Sequence, residues 1–391
     1  MPITLKDEAA IVGIGQTEFS KNSGRSELQL ACEATAAAIK DAGLTPADVD
    51  GMTTFTMDTS DEIEIARAVG IKDLTFFSRT PHGGGAAIGV MHQAAMAVAT
   101  GAAKTVVVYR SLNGRSGARY SDGVSAGMTT SDAIHWSWYM PSGLMTPASW
   151  VAMFTQRYMH ETGCTSEDLA EICISQRNHA VNNPAAFFYQ RPMTLEDHQT
   201  ARKIVDPLRL YDCCQETDGG TACIVTTPER ARDLDCGGAA MIRSVAQGAG
   251  ADQEVMTSYY RPSISSLPEM DLVAKQNWEI SGLTPDDIDA AVIYDAFSSI
   301  VLWQLESFGF CKPGEAKDFI KDGALGLGGR LPTNTHGGQL SEAYIHGMNG
   351  VNEGVRLIRG TSSNQPEKNE HVLVTAGVGI PTSAMILGQM S

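Results

Sequence analysis

Apolar residues along this chain alternate between short unbroken runs and longer stretches with a helical period. Residues 10–14, Ala-Ile-Val-Gly-Ile, form an apolar run of strand length. Leu28, Ala31, Ala34, Ala38 and Ile39 then recur on one helical face, which predicts an amphipathic helix over 26–42. Gly43 is placed to end that helix, Thr45-Pro46 to cap a further turn, and residues 52–56 read as a strand. Gly83, Gly84 and Gly85 lead into an alanine-rich stretch over 86–100. Its small side chains predict a helix packed between layers, ended by Gly101 and followed by a strand over 105–109. Asp218-Gly219-Gly220 reads as a turn before a further strand, and residues 290–294 as another. Val351, Val355, Leu357 and Ile358 mark a helix with Arg356 and Arg359 in its last turn and Gly360 as its stop, before a strand over 372–376.

The pattern repeats. Residues 42–50, Ala-Gly-Leu-Thr-Pro-Ala-Asp-Val-Asp, return at 281–289 as Ser-Gly-Leu-Thr-Pro-Asp-Asp-Ile-Asp, identical at six of nine positions. The strand, glycine turn, helix and strand that follow also correspond. A repeat at this distance is a duplicated domain, and the alternation of strands with helices predicts parallel pairing under helical layers. Two halves are expected, residues 1–250 and 251–391, with material over about 111–207 that has no counterpart in the second half. That insertion holds Trp136, Trp138, Tyr139, Trp150, Phe154, Tyr158, Phe187, Phe188 and Tyr189, suited to a substrate lid, a dimer surface or a small extra core.

Composition narrows the function. The 391 residues carry 29 Lys+Arg against 45 Asp+Glu, a formal charge of −16, which excludes a general nucleic-acid surface. No apolar run is long enough to span a bilayer, and the opening Met-Pro-Ile-Thr-Leu-Lys lacks a secretory pattern. Eight scattered cysteines contain no C-x-x-C pair, so a reduced, cytoplasmic protein without a structural metal is expected.

Candidate chemistry concentrates in residues 332–350, Pro-Thr-Asn-Thr-His-Gly-Gly-Gln-Leu-Ser-Glu-Ala-Tyr-Ile-His-Gly-Met-Asn-Gly. Four glycines and two histidines, with little apolar periodicity, predict a turn-rich loop outside the core, where backbone approaches a ligand and feeds a helix. Glu342 is expected to be an exposed loop acid.

These features together resemble the thiolase superfamily over nearly the whole chain. The duplicated half, Asp218-Gly219-Gly220, Asn334-x-x-Gly337-Gly338 and Tyr294-Asp295-Ala296-Phe297 are similar to thiolase landmarks. Val12-Gly13-Ile14-Gly15-Gln16-Thr17-Glu18-Phe19 resembles the sterol-carrier or lipid-transfer branch, and within it the actinobacterial steroid side-chain-cleaving aldolases. The resemblance implies an α/β thiolase fold: duplicated, mixed five-stranded sheets in an αβαβα layered sandwich with an inserted loop region. It also implies a homodimer and a small OB-fold partner associated with acyl-CoA.

The departures carry the functional reading. The position matching the nucleophilic cysteine is Gly84, and that of the second catalytic cysteine falls at Gly377-Val378-Gly379. Tyr344 stands where the family has histidine, and Tyr294 where it has asparagine. Without a nucleophile no acyl-enzyme forms. What remains is a site for an acyl-CoA thioester, with two tyrosines and donors for an enolate oxygen. Retro-aldol cleavage of a β-hydroxyacyl-CoA fits such a site. The resemblance implies a 17-hydroxy steroid C22-CoA as substrate, a 17-ketosteroid and propionyl-CoA as products, and no cofactor beyond the CoA of the substrate. Tyr294 and Tyr344 are the candidate acid and base, with His336 and His346 as further catalytic candidates. His82, Gly83, Gly84, Gly85, Asn334, Gly377 and Gly379 are candidates for holding substrate or oxyanion. Asp295 is expected to orient a tyrosine or, better, to cap the helix that follows it. The alternatives are a non-catalytic acyl-CoA or lipid-binding relic or scaffold, and a divergent acyltransferase using Cys223 or Cys311.

Overall fold

The computed structural model describes residues 5–55, 59–80, 83–117, 119–123, 136–234, 236–253, 258–259, 261–379 and 382–390. The strands are β1 (Ala10–Gln16), β2 (Gly51–Phe55), β3 (Phe76–Thr80), β4 (Thr105–Asn113), β5 (Lys203–Val205), β6 (Leu208–Arg209), β7 (Asp218–Thr226), β8 (Ala240–Gly248), β9 (Ala290–Val292), β10 (His371–Ala376) and β11 (Thr382–Gln389). β5 and β6 pair only with each other, and the other nine form one mixed sheet in the order β3-β2-β4-β7-β1-β8-β11-β10-β9.

The helical crossovers produce parallel pairing at β3-β2-β4 and at β9-β10, as the alternation predicts. The strands that return without a crossover, β7 and β11, pair antiparallel. In place of two separate five-stranded sheets, five strands and four strands join through the β1-β8 edge, which is held by Ala10↔Met241 and Ile11↔Ala240. The sheet folds about this seam. The Ala87–Thr100 and Met348–Arg359 helices each touch strands on both sides of it, whereas Glu27–Asp41 packs chiefly on β1, β4 and β7, and Pro268–Ser281 on β8 and β11. The result is five layers, helix-sheet-helix-sheet-helix.

Local chemistry explains the elements. In both copies of the repeated phrase the threonine hydroxyl donates to an aspartate three residues on, Thr45 to Asp48 and Thr284 to Asp287, each at 2.7 Å, with proline opening the turn. Gly101 and Gly360 end their helices in the left-handed conformation. β7 begins at Asp218, so Gly219 and Gly220 lie within the strand and not in a turn. A side chain at Gly220 would run into the Leu30 carbonyl at 2.6 Å, so this glycine serves close packing of the Glu27–Asp41 helix, whereas one at Gly219 would run into the Phe19 and Ile345 side chains.

The insertion joins the main core and does not build a separate one. On the Pro147–Thr162 helix, Trp150, Phe154 and Tyr158 are buried, and Phe154 and Tyr158 meet Trp303 edge-on. Trp138 stands out at 78% exposed. No helix among the described residues is long and apolar enough to cross a membrane.

Candidate active site

Residues 331–350 are buried throughout, which corrects the expectation of a loop outside the core. Polar side chains make this burial possible by meeting backbone groups that lack a regular ladder. Asn334, at φ 52°, donates to the Ile293 carbonyl at 2.9 Å and accepts from the Ile293 N–H at 2.8 Å. Its carboxamide is thereby spent on the strand end that delivers Tyr294. Thr375 accepts from the Tyr294 N–H at 2.9 Å, and Gln304 donates to the Tyr294 carbonyl at 2.7 Å. Tyr344 is held from the other side, its N–H donating to the Thr217 hydroxyl at 3.0 Å.

The two phenols meet. The Tyr294 and Tyr344 hydroxyl oxygens are 3.2 Å apart, and both residues are buried, at 6% and 8% exposure. A Cβ at Gly84 would overlap the Tyr294 hydroxyl and lie 2.5 Å from its ring carbon Cζ. The tyrosine thus fills the space that a side chain at the position of the missing nucleophile would need. Gly347, at φ 85°, backs the same ring. Gly84 lies in the turn that opens the Ala87–Thr100 helix, where the first N–H groups have no intrahelical acceptors. Gly377 and Gly379, at φ 90° and 97°, shape the turn between β10 and β11. The Ser383 hydroxyl, from β11, donates to the Gly85 carbonyl and ties the two turns together. His82 lies outside the described residues.

The histidines divide. His346 is buried at φ 51°, edge-on to Tyr344 with ring centroids 5.0 Å apart, and Arg110 reaches its Nδ1 at 2.8 Å. Burial, then the guanidinium charge, hold its pKa well below the ordinary value. His336 faces Glu342 at 3.8 Å, and burial lowers its pKa to about 4. Glu342 is fully buried, not an exposed acid. It accepts from Asn349 at 2.8 Å and Asn183 at 3.0 Å, and burial raises its pKa.

Asp295 caps a helix, though not the one that follows it in sequence. Its carboxylate accepts from the Gln339 N–H at 2.8 Å and the Leu340 N–H at 3.1 Å, in the short turn preceding Tyr344. Burial raises its pKa to about 7 against these hydrogen bonds. Between about pH 4 and about pH 7 the folded protein therefore keeps a proton that the unfolded chain has lost. The Asp295 contribution to stability falls as pH rises through that window, by at most about 1.4 kcal/mol per pH unit, against an opposite slope from buried, neutral His336, and Asp295→Asn is expected to remove the Asp295 part. Thermal melts across the window check it, and parallel profiles for the two proteins would sink the assignment.

Neither candidate thiol is an activated nucleophile. Cys223 is buried in β7 beside the Met91 sulfur, and burial raises its pKa. Burial pushes Cys311 to about 12. Cys173 and His198 converge with Asp212 in the core, where both hydrogen-bond to Asp212 Oδ1, at 3.6 and 3.0 Å, beside Ser298 at 2.6 Å.

Sequence reasoning missed Arg110, Asn183, Gln304 and Thr375. Arg110 alone left a signal, as a charge inside the otherwise uncharged strand β4. The insertion also reaches the site. The Phe187 N–H donates to the Glu342 carbonyl at 2.9 Å and the Phe188 N–H to the Ser341 carbonyl at 3.2 Å.

Comparison with known proteins bears on this arrangement. The family model "Thiolase C-terminal domain-like" matches residues 250–389. A "Steroid side-chain-cleaving aldolase" of Thermomonospora curvata is 62% identical over 386 residues, covering 98% of each chain. The "17-hydroxy-3-oxo-4-pregnene-20-carboxyl-CoA lyase" of Mycobacterium tuberculosis is 58% identical over 387 residues, covering 98% of this chain and 100% of that one. The solved "Ltp2-ChsH2(DUF35) aldolase" superimposes with a TM-score of 0.95 at 61% identity, covering 99% of each chain. The chain therefore belongs to the thiolase superfamily, in its branch of steroid side-chain-cleaving aldolases.

Proposed function

We propose that this protein is a lyase that cleaves a 17-hydroxy steroid C22-CoA thioester by retro-aldol reaction. The observation that carries the reading is the buried pair of phenol hydroxyls, 3.2 Å apart, over a glycine where a nucleophile would stand. In the 17-hydroxy, 20-carboxyl-CoA substrate named for the relative from M. tuberculosis, the hydroxyl is β to the thioester. One tyrosine, as its phenolate, takes the C17 hydroxyl proton and becomes the phenol. The electron pair of that O–H bond forms the C17 carbonyl, the C17–C20 bond breaks, and its electrons pass to the thioester as an enolate. A proton delivered to C20 completes propionyl-CoA, leaving a 17-ketosteroid. N–H groups in the Gly83–Gly85 and Gly377–Gly379 turns are the donors assigned to the enolate oxygen, each worth about 3–4 kcal/mol where such donors have been removed from other enzymes.

A DUF35 partner of OB fold is proposed on the strength of the relative solved with one. A homodimer is proposed through the β3 edge of the sheet, where Phe77 is 59% exposed on a strand paired on one side only. An open cavity of about 650 Å³ beside the insertion has Lys21 and Arg191 over the Phe187 ring, cations suited to the phosphates of CoA in a chain of net charge −16.

The test uses purified protein, with and without the DUF35 partner, and the 17-hydroxy C22-CoA thioester. Equal amounts of 17-ketosteroid and propionyl-CoA are expected, with turnover unchanged after iodoacetamide. A thioester that binds and survives intact with the partner present would overturn the reading in favour of a binding protein. Turnover lost on alkylation would favour the acyltransferase.

A further inference from the structure

Arg110 sits fully buried in β4, 236 residues before His346, and its Nη2 lies 2.8 Å from the His346 Nδ1. A guanidinium has five donors and no acceptor, so the direction of this bond is fixed by chemistry. Nδ1 must present its lone pair, and the proton of the neutral imidazole must sit on Nε2. Arg110 is itself held in place. Its Nη1 donates to the Phe55 carbonyl at 3.3 Å, and its Cζ lies 4.6 Å from the Phe55 ring centroid. The same ring also packs near His346, with ring centroids 5.9 Å apart. Among the described residues, the groups facing His346 are Arg110 from β4, Phe55 from the end of β2, and Tyr344 from its own loop, with Tyr294 one hydroxyl further on. The one charge in that set is a cation, which opposes a second cation on the ring.

We infer that Arg110 is a positioning residue: it locks His346 as a neutral, Nε2-protonated imidazole, a hydrogen-bond donor beside the tyrosine pair that is barred from serving as a base. Proton transfer is thereby confined to the two phenols. The consequence for turnover rests on the retro-aldol reading, whereas the tautomer itself does not.

The experiment is ¹⁵N NMR of protein labelled at its nine histidines, with His346 identified as the signal missing from His346→Asn. In wild type, His346 is expected to show a protonated Nε2 and an unprotonated Nδ1, with no titration over about pH 5–8. In Arg110→Met the ring proton should redistribute onto Nδ1, and a titration should rise toward about pH 6.5, the value of free histidine, without reaching it, because burial still opposes the charged ring. Arg110→Lys, which keeps the charge and a donor, should suppress it again. The pH profile of kcat/KM should gain a matching inflection in Arg110→Met that disappears in Arg110→Met/His346→Asn. A wild-type His346 that carries its proton on Nδ1, or that titrates in this range, overturns the inference even if Arg110→Met fails to fold. So does an Arg110→Met protein whose His346 behaves as in wild type. Because the NMR needs no substrate, an inactive preparation tests the retro-aldol reading and leaves this one intact.

Discussion

Tyr344→Phe and Tyr294→Phe are each expected to lower turnover by about 10²–10⁴-fold, the range for loss of a positioned acid or base. Affinity for the thioester should be nearly unchanged, because each substitution removes one oxygen and keeps the ring packed. The two hydroxyls hydrogen-bond to one another, so each sets the other's proton affinity. The double variant should therefore lose little more than the worse single one, as expected for groups that act as a unit. The roles separate in a partial reaction. Exchange of deuterium from solvent into C2 of propionyl-CoA needs the residue that protonates the enolate, and not the one that takes the hydroxyl proton. One Phe variant should retain this exchange and the other should lose it. If both variants turn over normally, the phenols are packing groups and the reaction lies elsewhere.

Gly84→Ala is expected to abolish most activity without any change to a reacting side chain. The added methyl would overlap the Tyr294 hydroxyl, so the phenol must shift. Displacement of a reacting group by about 1 Å costs about 10²-fold in rate. If the phenol held its place, the overpacked site would instead lose about 1–3 kcal/mol of stability. The steric origin has its own check: in a Tyr294→Asn background, which vacates the space, Gly84→Ala should have little further effect on the melting temperature. Gly84→Cys is not expected to restore acyl transfer. The added thiol would displace Tyr294, and it would find Tyr344 in place of the histidine that activates a thiolase nucleophile. An active Gly84→Ala enzyme would show that the glycine is not the seat of the phenol.

Much of this was legible in residue order. Strand and helix periodicity located β1, β2, β4, β9, β10 and both central helices, and the repeated Thr-Pro-x-Asp phrase revealed the duplication because the same cap is needed twice. Less was legible where one residue type serves two purposes. Gly219 and Gly220 read as a turn, yet they lie in a strand, where a helix packs against Gly220 and the Phe19 and Ile345 side chains against Gly219. β3, with Ser78 and Arg79 in its five residues, carries too little apolar pattern to stand out. β8 and β11 carry Arg243 and Gln247, and Thr382 and Ser383, among their apolar positions. The tyrosines were found by what they replace. The groups that hold them, Gln304, Thr375 and Thr217, were not, because a buried amide or hydroxyl with backbone partners looks the same in sequence as one on the surface. Glu342 and the loop around it were misplaced for the same reason: polar composition suggested solvent, and only the three-dimensional hydrogen-bond network shows that every residue of 331–350 is enclosed.

That enclosure ties the enzyme's chemistry to its stability. In many enzymes the reacting residues sit on surface loops, where substitutions are tolerated and new reactivities arise by drift. Here the segment bearing Tyr344 is interior, and each neighbour that could retune the phenol also fills volume or satisfies a backbone group. A change of specificity through this segment must also be a successful core substitution, against the background that most such changes destabilise. Variation among descendants of this chain is therefore channelled away from this interior segment and toward solvent-facing positions of the insertion, such as Trp138 and Tyr189.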